Sequence, residues 1–305
     1  MSIIEKALDK AIEKSLRVGA QPHLPNLPPE TASLGSASAP TAVPTESRKE
    51  ESRERHNVDW PALQAQGMLV PEMARSQMAE EYRLIKRPLL MNAFPEADNG
   101  IERANLILVT SSVPGEGKTF TALNLALSIA MEREKTVLLV DADVAKPTIS
   151  RLLGIRETAG LIEFLDGKTN SVAEILIRTD IPNLSILPAG RLHQHSTELL
   201  ASVSMKRFAN ELSKRYSDRI VIFDSPPLLA APQAEVLAGL VGQVVLVIES
   251  EMTPQYIVQE AASKLESCEA VGCVLNKTIK GFGLTYYGYG YGHGYGDYGQ
   301  PRNEE

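Results

Sequence analysis

Residues Ser111 to Thr119 read S-S-V-P-G-E-G-K-T, the spacing of G-x-x-x-x-G-K-[ST] with Ser112 in place of the first glycine. Glycines there let backbone N–H groups turn inward around phosphate oxygens, and a helix N-terminus reinforces that attraction. Lys118 is placed to reach the β- and γ-phosphates, and the Thr119 hydroxyl to ligate Mg²⁺. Two further motifs supply carboxylates: V-L-L-V-D-A-D carries Asp141 and Asp143, and V-I-F-D-S-P-P carries Asp224. Residues two apart on a strand face one side, so Asp141 and Asp143 both point toward the site if the extended geometry persists. Asp224 has the Walker-B position, binding Mg²⁺ directly or through water. Such a set suits phosphoryl transfer, which is mostly positioning and charge neutralisation. An acceptor lies in the same chain: Tyr286, Tyr287, Tyr289, Tyr291, Tyr295 and Tyr298 fall between Gly281 and Gln300, against three tyrosines elsewhere. A phenol with a pKa of ~10 is protonated at neutral pH, so transfer to it gains from a carboxylate base. A surplus aspartate beside a tyrosine-rich segment points to autophosphorylation.

These residues need a scaffold that gathers them. Leu106 to Val109, Val137 to Val140, Leu184 to Leu187, Ile220 to Phe223, Val244 to Ile248 and Val271 to Leu275 are short apolar runs rich in β-branched residues. Strands without polar alternation belong to a parallel sheet covered on both faces. Helical stretches between them (Thr119 to Met131, Glu198 to Tyr216, Gln255 to Glu266) make the fold α/β, with a doubly wound, mostly parallel sheet. In such sheets ligands sit beyond the carboxyl ends of the strands, where Lys118 and the three aspartates fall. This domain spans residues 59–280. Before it, residues 1–17 carry apolar side chains at helical spacing, as an amphipathic helix does. Residues 18–58, rich in Pro, Ser and mixed charge, read as a disordered linker. Residues 281–305 form a flexible Gly/Tyr-rich tail, too rich in glycine to hold a helix.

The net charge of −7 over 305 residues argues against nucleic acid as a partner, since dedicated binders carry a basic surplus. Two cysteines, Cys268 and Cys273, make no disulfide framework and read as small core residues. The longest apolar run, Leu237 to Ile248, is too short to span a bilayer and reads as buried core. No signal-peptide pattern opens the sequence, so the expected location is cytoplasmic. His193 and His195 read as solvent-exposed, and Trp60 as an anchor where the folded domain begins.

The motifs S-x-P-G-E-G-K-T, V-L-L-V-D-A-D and V-I-F-D-S-P-P, with L-P-A-G (187–190), T-E-L-L (197–200), V-L-N (274–276) and the tyrosine cluster, resemble the bacterial tyrosine autokinases of exopolysaccharide systems. These are P-loop proteins of the MinD/ParA-like type. M-S-I-I-E-K-A-L and the Pro-rich linker further resemble the exosortase-associated form. The resemblance implies ATP and Mg²⁺ as cofactors, nucleotide contacts from Pro114, Gly115, Glu116, Gly117, Lys118, Thr119, Phe120 and Asn276, and metal contacts from Thr119, Asp143 and Asp224. It implies catalytic roles for Lys118 and for Asp141, the base toward an incoming tyrosine. It implies a ring in which one subunit's tail enters its neighbour's site, a membrane-spanning polysaccharide co-polymerase or adaptor that recruits the kinase to the inner face of the membrane, and a tyrosine phosphatase. The ring motif E-x-x-R-x-x-R matches here as Glu80, Arg83 and Lys86, the last a departure, because Lys lacks the bidentate fork of Arg. Ala145 replaces another expected Arg, with Lys146 beside it. Two other readings compete: a nucleotide-switched positioning ATPase without protein phosphorylation, and a sticky Gly/Tyr tail whose assembly ATP controls. Against the former, S-V-P-G-E-G-K-T lacks the early lysine of K-G-G-x-G-K-T.

Overall fold

The apolar runs become strands β1 (Leu106–Ser111), β2 (Thr136–Asp141), β4 (Leu184–Leu187), β5 (Arg219–Asp224), β6 (Gln243–Glu249) and β7 (Ala270–Asn276), joined by a two-residue β3 (Ile177–Arg178) that the sequence did not signal. The computed structural model describes residues 55–95, 100–155, 158–169, 171–215 and 218–278. The expected N-terminal helix, the linker before residue 55, and the tail with its six tyrosines lie outside the described residues. The sheet order is β3-β4-β2-β5-β1-β6-β7. All neighbours are parallel except β3, which runs antiparallel to β4. Helices α1 (Trp60–Ala65), α2 (Gln77–Ala93), α3 (Lys118–Ala130), α4 (Ile149–Leu152), α5 (Leu161–Leu165), α6 (Val172–Ile175), α7 (Ser196–Leu200), α8 (Val203–Arg215), α9 (Pro232–Ala238) and α10 (Gln255–Ser263) complete the described part.

Continuous apolarity in β1, β2 and β5 follows from burial of both faces. On one face Ile107, Val109, Leu139 and Ile222 pack with Tyr82 and Leu89 of α2 and Leu123 and Leu127 of α3. On the other, Leu106, Leu108, Leu138 and Phe223 pack with Phe208 and Leu212 of α8 and Leu237 of α9. On the α2 side of the sheet, buried Gln243 donates from Nε2 to the carbonyls of Leu89 and Ala104 and accepts from Asn92 Nδ2, fixing the end of α2 to the sheet.

Several expectations need correction. The fold takes in chain assigned to the linker: His56 Nε2 lies 2.7 Å from the Leu153 carbonyl, and buried Val58 donates its N–H to Asp180 Oδ1. The helix expected over 198–216 is two, α7 and α8, parted where Ser202 Oγ accepts from Met205 N. β7 is a strand, but an edge strand with most residues exposed, so Cys273 within it is exposed rather than core. Trp60 does open α1, half-buried against the core, and Asp59 caps that helix by accepting from Ala62 N. Among the described residues no helix is long and apolar enough to cross a membrane.

Candidate active site

β1 runs directly into the phosphate loop, and α3 begins at Lys118. Gly115 and Gly117 take φ of +96° and +98°, a region costly for residues with a Cβ. Gly117 is doubly constrained, because a Cβ there would stand 2.0 Å from Asn276 Nδ2. That amide donates to the Glu116 carbonyl at 2.8 Å, so the expected nucleotide contact Asn276 is packed against the loop. Pro114 and Gly115 are exposed, and Phe120 packs against the core beneath α3.

Asp141 and Asp224 end β2 and β5 directly opposite each other. Both follow the alternation of Leu139 and Ile222, so they project from the face that α3 covers. Neighbouring residues hold Asp224 in place: Ser225 N and Oγ donate to the Val109 carbonyl, and Thr110 Oγ1 donates to the Pro226 carbonyl. Asp143 lies just past β2, where its Oδ1 accepts from Lys146 N. Lys118 Nζ stands 2.7 Å from Asp143 Oδ2, 3.9 Å from Asp224 Oδ1, and donates to Thr119 Oγ1 at 3.3 Å. The structure therefore brings Lys118, Thr119, Asp141, Asp143 and Asp224 together.

Three buried carboxylates facing one ammonium shape the electrostatics. Burial, then the Asp224 charge, pushes the Asp141 carboxyl well above the usual range, against the Ile149 N–H that its Oδ2 accepts. Burial raises Asp224 to about 6, opposed by the Lys118 charge and by the Thr119 hydroxyl. That hydroxyl lies near without meeting hydrogen-bond geometry: among the described residues neither Asp224 oxygen has a hydrogen-bond partner, nor does Asp141 Oδ1. Burial pulls the Lys118 ammonium down, but Asp224, Asp143 and Asp141 together outweigh it and raise its pKa. Orphaned, fully buried carboxylate oxygens are expensive, and a cation would satisfy them. Among the described residues no group of three or more His, Cys, Asp or Glu forms a metal cage by itself. A hard divalent ion held by Thr119 and Asp224, with phosphate and water oxygens completing its shell, fits this donor set.

Other residues tie the loop in place. Glu116, almost fully buried, accepts from Val113 N at 2.8 Å, from Thr253 Oγ1 at 2.5 Å and from Glu249 N at 3.3 Å. Lys277 donates to the Gly115 carbonyl and pairs with Glu249. Thr253, Glu249 and Lys277 escaped the sequence reading; only the position of Lys277 directly after V-L-N hinted at it.

The trio on α2 is divided. Glu80 and Arg83 pair with each other on the exposed face. Lys86 turns inward: it is 7% exposed, donates to the Ser128 carbonyl at 2.7 Å and pairs with Glu132 at 2.6 Å. A helix turns 100° per residue, so three positions at i, i+3 and i+6 spread over about a third of its circumference, and the last falls on the α3 side. Lys86 therefore corrects the expectation of a three-residue surface contact. Ala145 and Lys146 are both exposed. His193 is half-buried rather than exposed, 3.8 Å from Asp166, with His195 exposed beside it. Tyr82 is buried, which pushes its hydroxyl up to about 12, whereas Tyr256 is exposed.

Residues 104–277 match the AAA domain family. The chain is 34% identical over 218 residues to the tyrosine-protein kinase YwqD of Bacillus subtilis, covering 70% of this chain and 88% of that protein. It is 30% identical over 224 residues to CapB of Staphylococcus aureus, covering 73% and 94%. Among solved structures it resembles the kinase domain of the Escherichia coli tyrosine kinase ETK, with a TM-score of 0.61 and 27% identity over 74% of this chain and 86% of that one.

Proposed function

From the premise that this chain belongs to the bacterial tyrosine-protein kinases, within the AAA domain family, we propose that it transfers the γ-phosphoryl group of Mg·ATP to the tyrosines of its own tail, Tyr286, Tyr287, Tyr289, Tyr291, Tyr295 and Tyr298. The observation that carries this reading is the pairing of Asp224, buried with both oxygens unsatisfied, with Lys118 held among three carboxylates at the mouth of a phosphate loop. Bound Mg·ATP supplies the reactive phosphoryl group and a divalent charge that spreads over its oxygens.

The chain's residues divide the remaining work. Backbone N–H groups from Gly115 to Phe120 would surround phosphate oxygens, with the glycine conformations at 115 and 117 already set. Lys118, kept cationic by its carboxylate neighbours, neutralises charge on the transferred group. Thr119 and Asp224 hold the metal, and Asp143, next to Lys118, orients both. Asp141 accepts the phenolic proton; its raised pKa makes it a stronger base than an exposed carboxylate and brings it closer to the phenol. Asn276 and Glu116 keep the loop in shape. Glu80 and Arg83, without Lys86, remain the surface of α2 that a second copy would meet in a ring. The resemblance to exopolysaccharide autokinases supports a setting in polysaccharide polymerisation or export, with a membrane-spanning adaptor as recruiter and a phosphatase that resets the tail.

Intact mass spectrometry before and after Mg·ATP, for the natural chain and Lys118→Met, tests the proposal. Successive steps of one phosphoryl group that map to Tyr286 through Tyr298 and vanish in the variant are expected. Nucleotide hydrolysis with no mass gain would instead favour a positioning ATPase.

A further inference from the structure

The two edges of the sheet are finished differently. At the β3 edge, chain from before α1 covers the strand: His56 N donates to the Arg178 carbonyl, and Asp180 N donates to the His56 carbonyl. At the other edge β7 presents A-V-G-C-V-L-N, and among the described residues no strand lies beyond it. Pairing with β6 fixes which groups are left open. Asn276 turns its carbonyl toward β6, where it accepts from Ser250 N. Backbone groups of successive strand residues point alternately to the two sides, so the N–H and C=O of Val271, Cys273 and Leu275 point away from the sheet. The side chains of the same three share the face of their partners Val244, Leu246 and Ile248. Ala261 of α10 and Leu265 share a core with those partners, and that cover stops short of β7: Val271 is 41% exposed, Leu275 62% exposed and Cys273 exposed. An apolar stripe and a row of outward amides thus coincide on the same residues. β7 holds neither the lysine nor the proline that commonly blunts such an edge.

We infer that this edge takes the chain's own Tyr/Gly segment as an added strand, antiparallel to β7, with Tyr287, Tyr289 and Tyr291 opposite Leu275, Cys273 and Val271. From residue 287 to 296 rings and glycines alternate without a break: Tyr287, Tyr289, Tyr291, His293 and Tyr295 are each followed by Gly. In an extended chain a period of two puts every ring on one face and every glycine on the other. The edge is one-sided in the same way. Its exposed apolar side chains lie on one face, and on the other a Cβ at Gly272 would meet nothing within 4 Å. Glycines weaken a strand that stands alone, so this segment needs a template, and an open edge supplies one through main-chain bonds. In the register given, each of the three pairs exchanges both N–H···O bonds. Tyrosine suits the stripe, because its ring covers apolar surface while its hydroxyl stays in water. The connection also fits. Lys277 takes a φ of +57°, which turns the chain off the line of β7. Residues 277–285 then leave more chain than the about 5 Å between adjacent strands requires. A phosphate on any of the three tyrosines would bring about −1.5 to −2 charges onto apolar surface, where charge is costly, so the edge holds the unmodified segment.

The test uses the full chain without nucleotide, so its result does not depend on the activity proposed above. In a Cys268→Ala background, Tyr289→Cys puts a second thiol opposite Cys273, within disulfide reach. Under copper phenanthroline it should cross-link within the chain about tenfold or more faster than Gly290→Cys, whose side chain falls on the opposite face. Tyr289→Cys should also outpace Tyr287→Cys and Tyr291→Cys. With the tail natural in the same background, N-ethylmaleimide should alkylate Cys273 about tenfold or more slowly than with Tyr289→Pro, which removes both a ladder donor and the ring. Thermal melts of each variant verify folding. Equal cross-linking from positions 289 and 290, or equal alkylation with and without Tyr289→Pro, overturns the inference. Disulfides that form only between chains overturn it too, making a neighbour's tail the occupant. So does protection of Cys273 that rises with protein concentration yet ignores Tyr289→Pro, which would pair two β7 edges instead.

Discussion

Asp224→Asn should stabilise the nucleotide-free protein while abolishing its activity. The native carboxyl is raised from 3.8 to about 6 by burial. At about 1.36 kcal/mol per unit, holding it ionised in the fold costs about 3 kcal/mol relative to the unfolded chain. The sign follows from linkage: between the two values the folded state binds more protons than the unfolded one, so this carboxyl's stability contribution is complete below about pH 4 and is lost as pH rises through about 6. An amide of the same shape carries no such cost, though Lys118 loses one of its counter-charges and keeps Asp143. The gain should therefore approach 2–3 kcal/mol above about pH 7 and shrink toward zero near about pH 4. For a domain of this size that is about 4–12 °C in Tm. Urea titrations of both proteins from pH 4.5 to 8 read the difference. Mg·ATP should then stabilise the natural chain and not the variant, because ligand that binds only the folded state adds to stability by mass action. A variant less stable than the natural chain at pH 8, or a gain that does not change with pH, would refute the claim that Asp224 is a strained, waiting metal ligand.

Gly117→Ala places a Cβ on Asn276 Nδ2 at positive φ; ATP affinity should fall about tenfold or more, one factor of ten being 1.4 kcal/mol, and adding Asn276→Ala should recover part of it in calorimetric titrations. Glu116→Gln removes charge from the acceptor of Val113 N, Glu249 N and Thr253 Oγ1; with charge-assisted bonds worth about 1.5–3 kcal/mol, KM for ATP should rise about tenfold, and an unchanged KM would show that the tether does not shape the loop. Lys86→Ala should cost about 1–3 kcal/mol in chemical denaturation through its lost buried bond, whereas Glu80→Ala with Arg83→Ala should cost under about 1 kcal/mol and act on association in sedimentation velocity. The opposite assignment would return Lys86 to the surface contact.

Where local chemistry determines structure, the sequence was readable. The phosphate loop lies within nine consecutive residues, and its glycines adopt the conformations that phosphate contact requires. The strands announced themselves because burial on both faces leaves no polar alternation. Strand order was not readable: β7 holds an apolar run, Val271 to Leu275, as β1 does, but its place at the sheet edge exposes Leu275 and Cys273. The inward turn of Lys86 depends on which side of α2 meets α3, a packing outcome invisible in a spacing of three. Glu116 was placed in the nucleotide loop by its motif, but its contacts with Thr253 and Glu249 join residues more than a hundred positions apart, and no pattern along the chain encodes them.

The most direct test of the account mixes two chains that are each incapable of self-modification. One carries Lys118→Met with its tail intact; the other has a natural catalytic site and Phe at all six tail positions. After incubation with Mg·ATP, intact mass spectrometry should show phosphoryl groups accumulating on the Lys118→Met chain alone, mapping to Tyr286 through Tyr298. Nucleotide turnover without mass gain on either chain would contradict the assignment of this site to tyrosine phosphorylation.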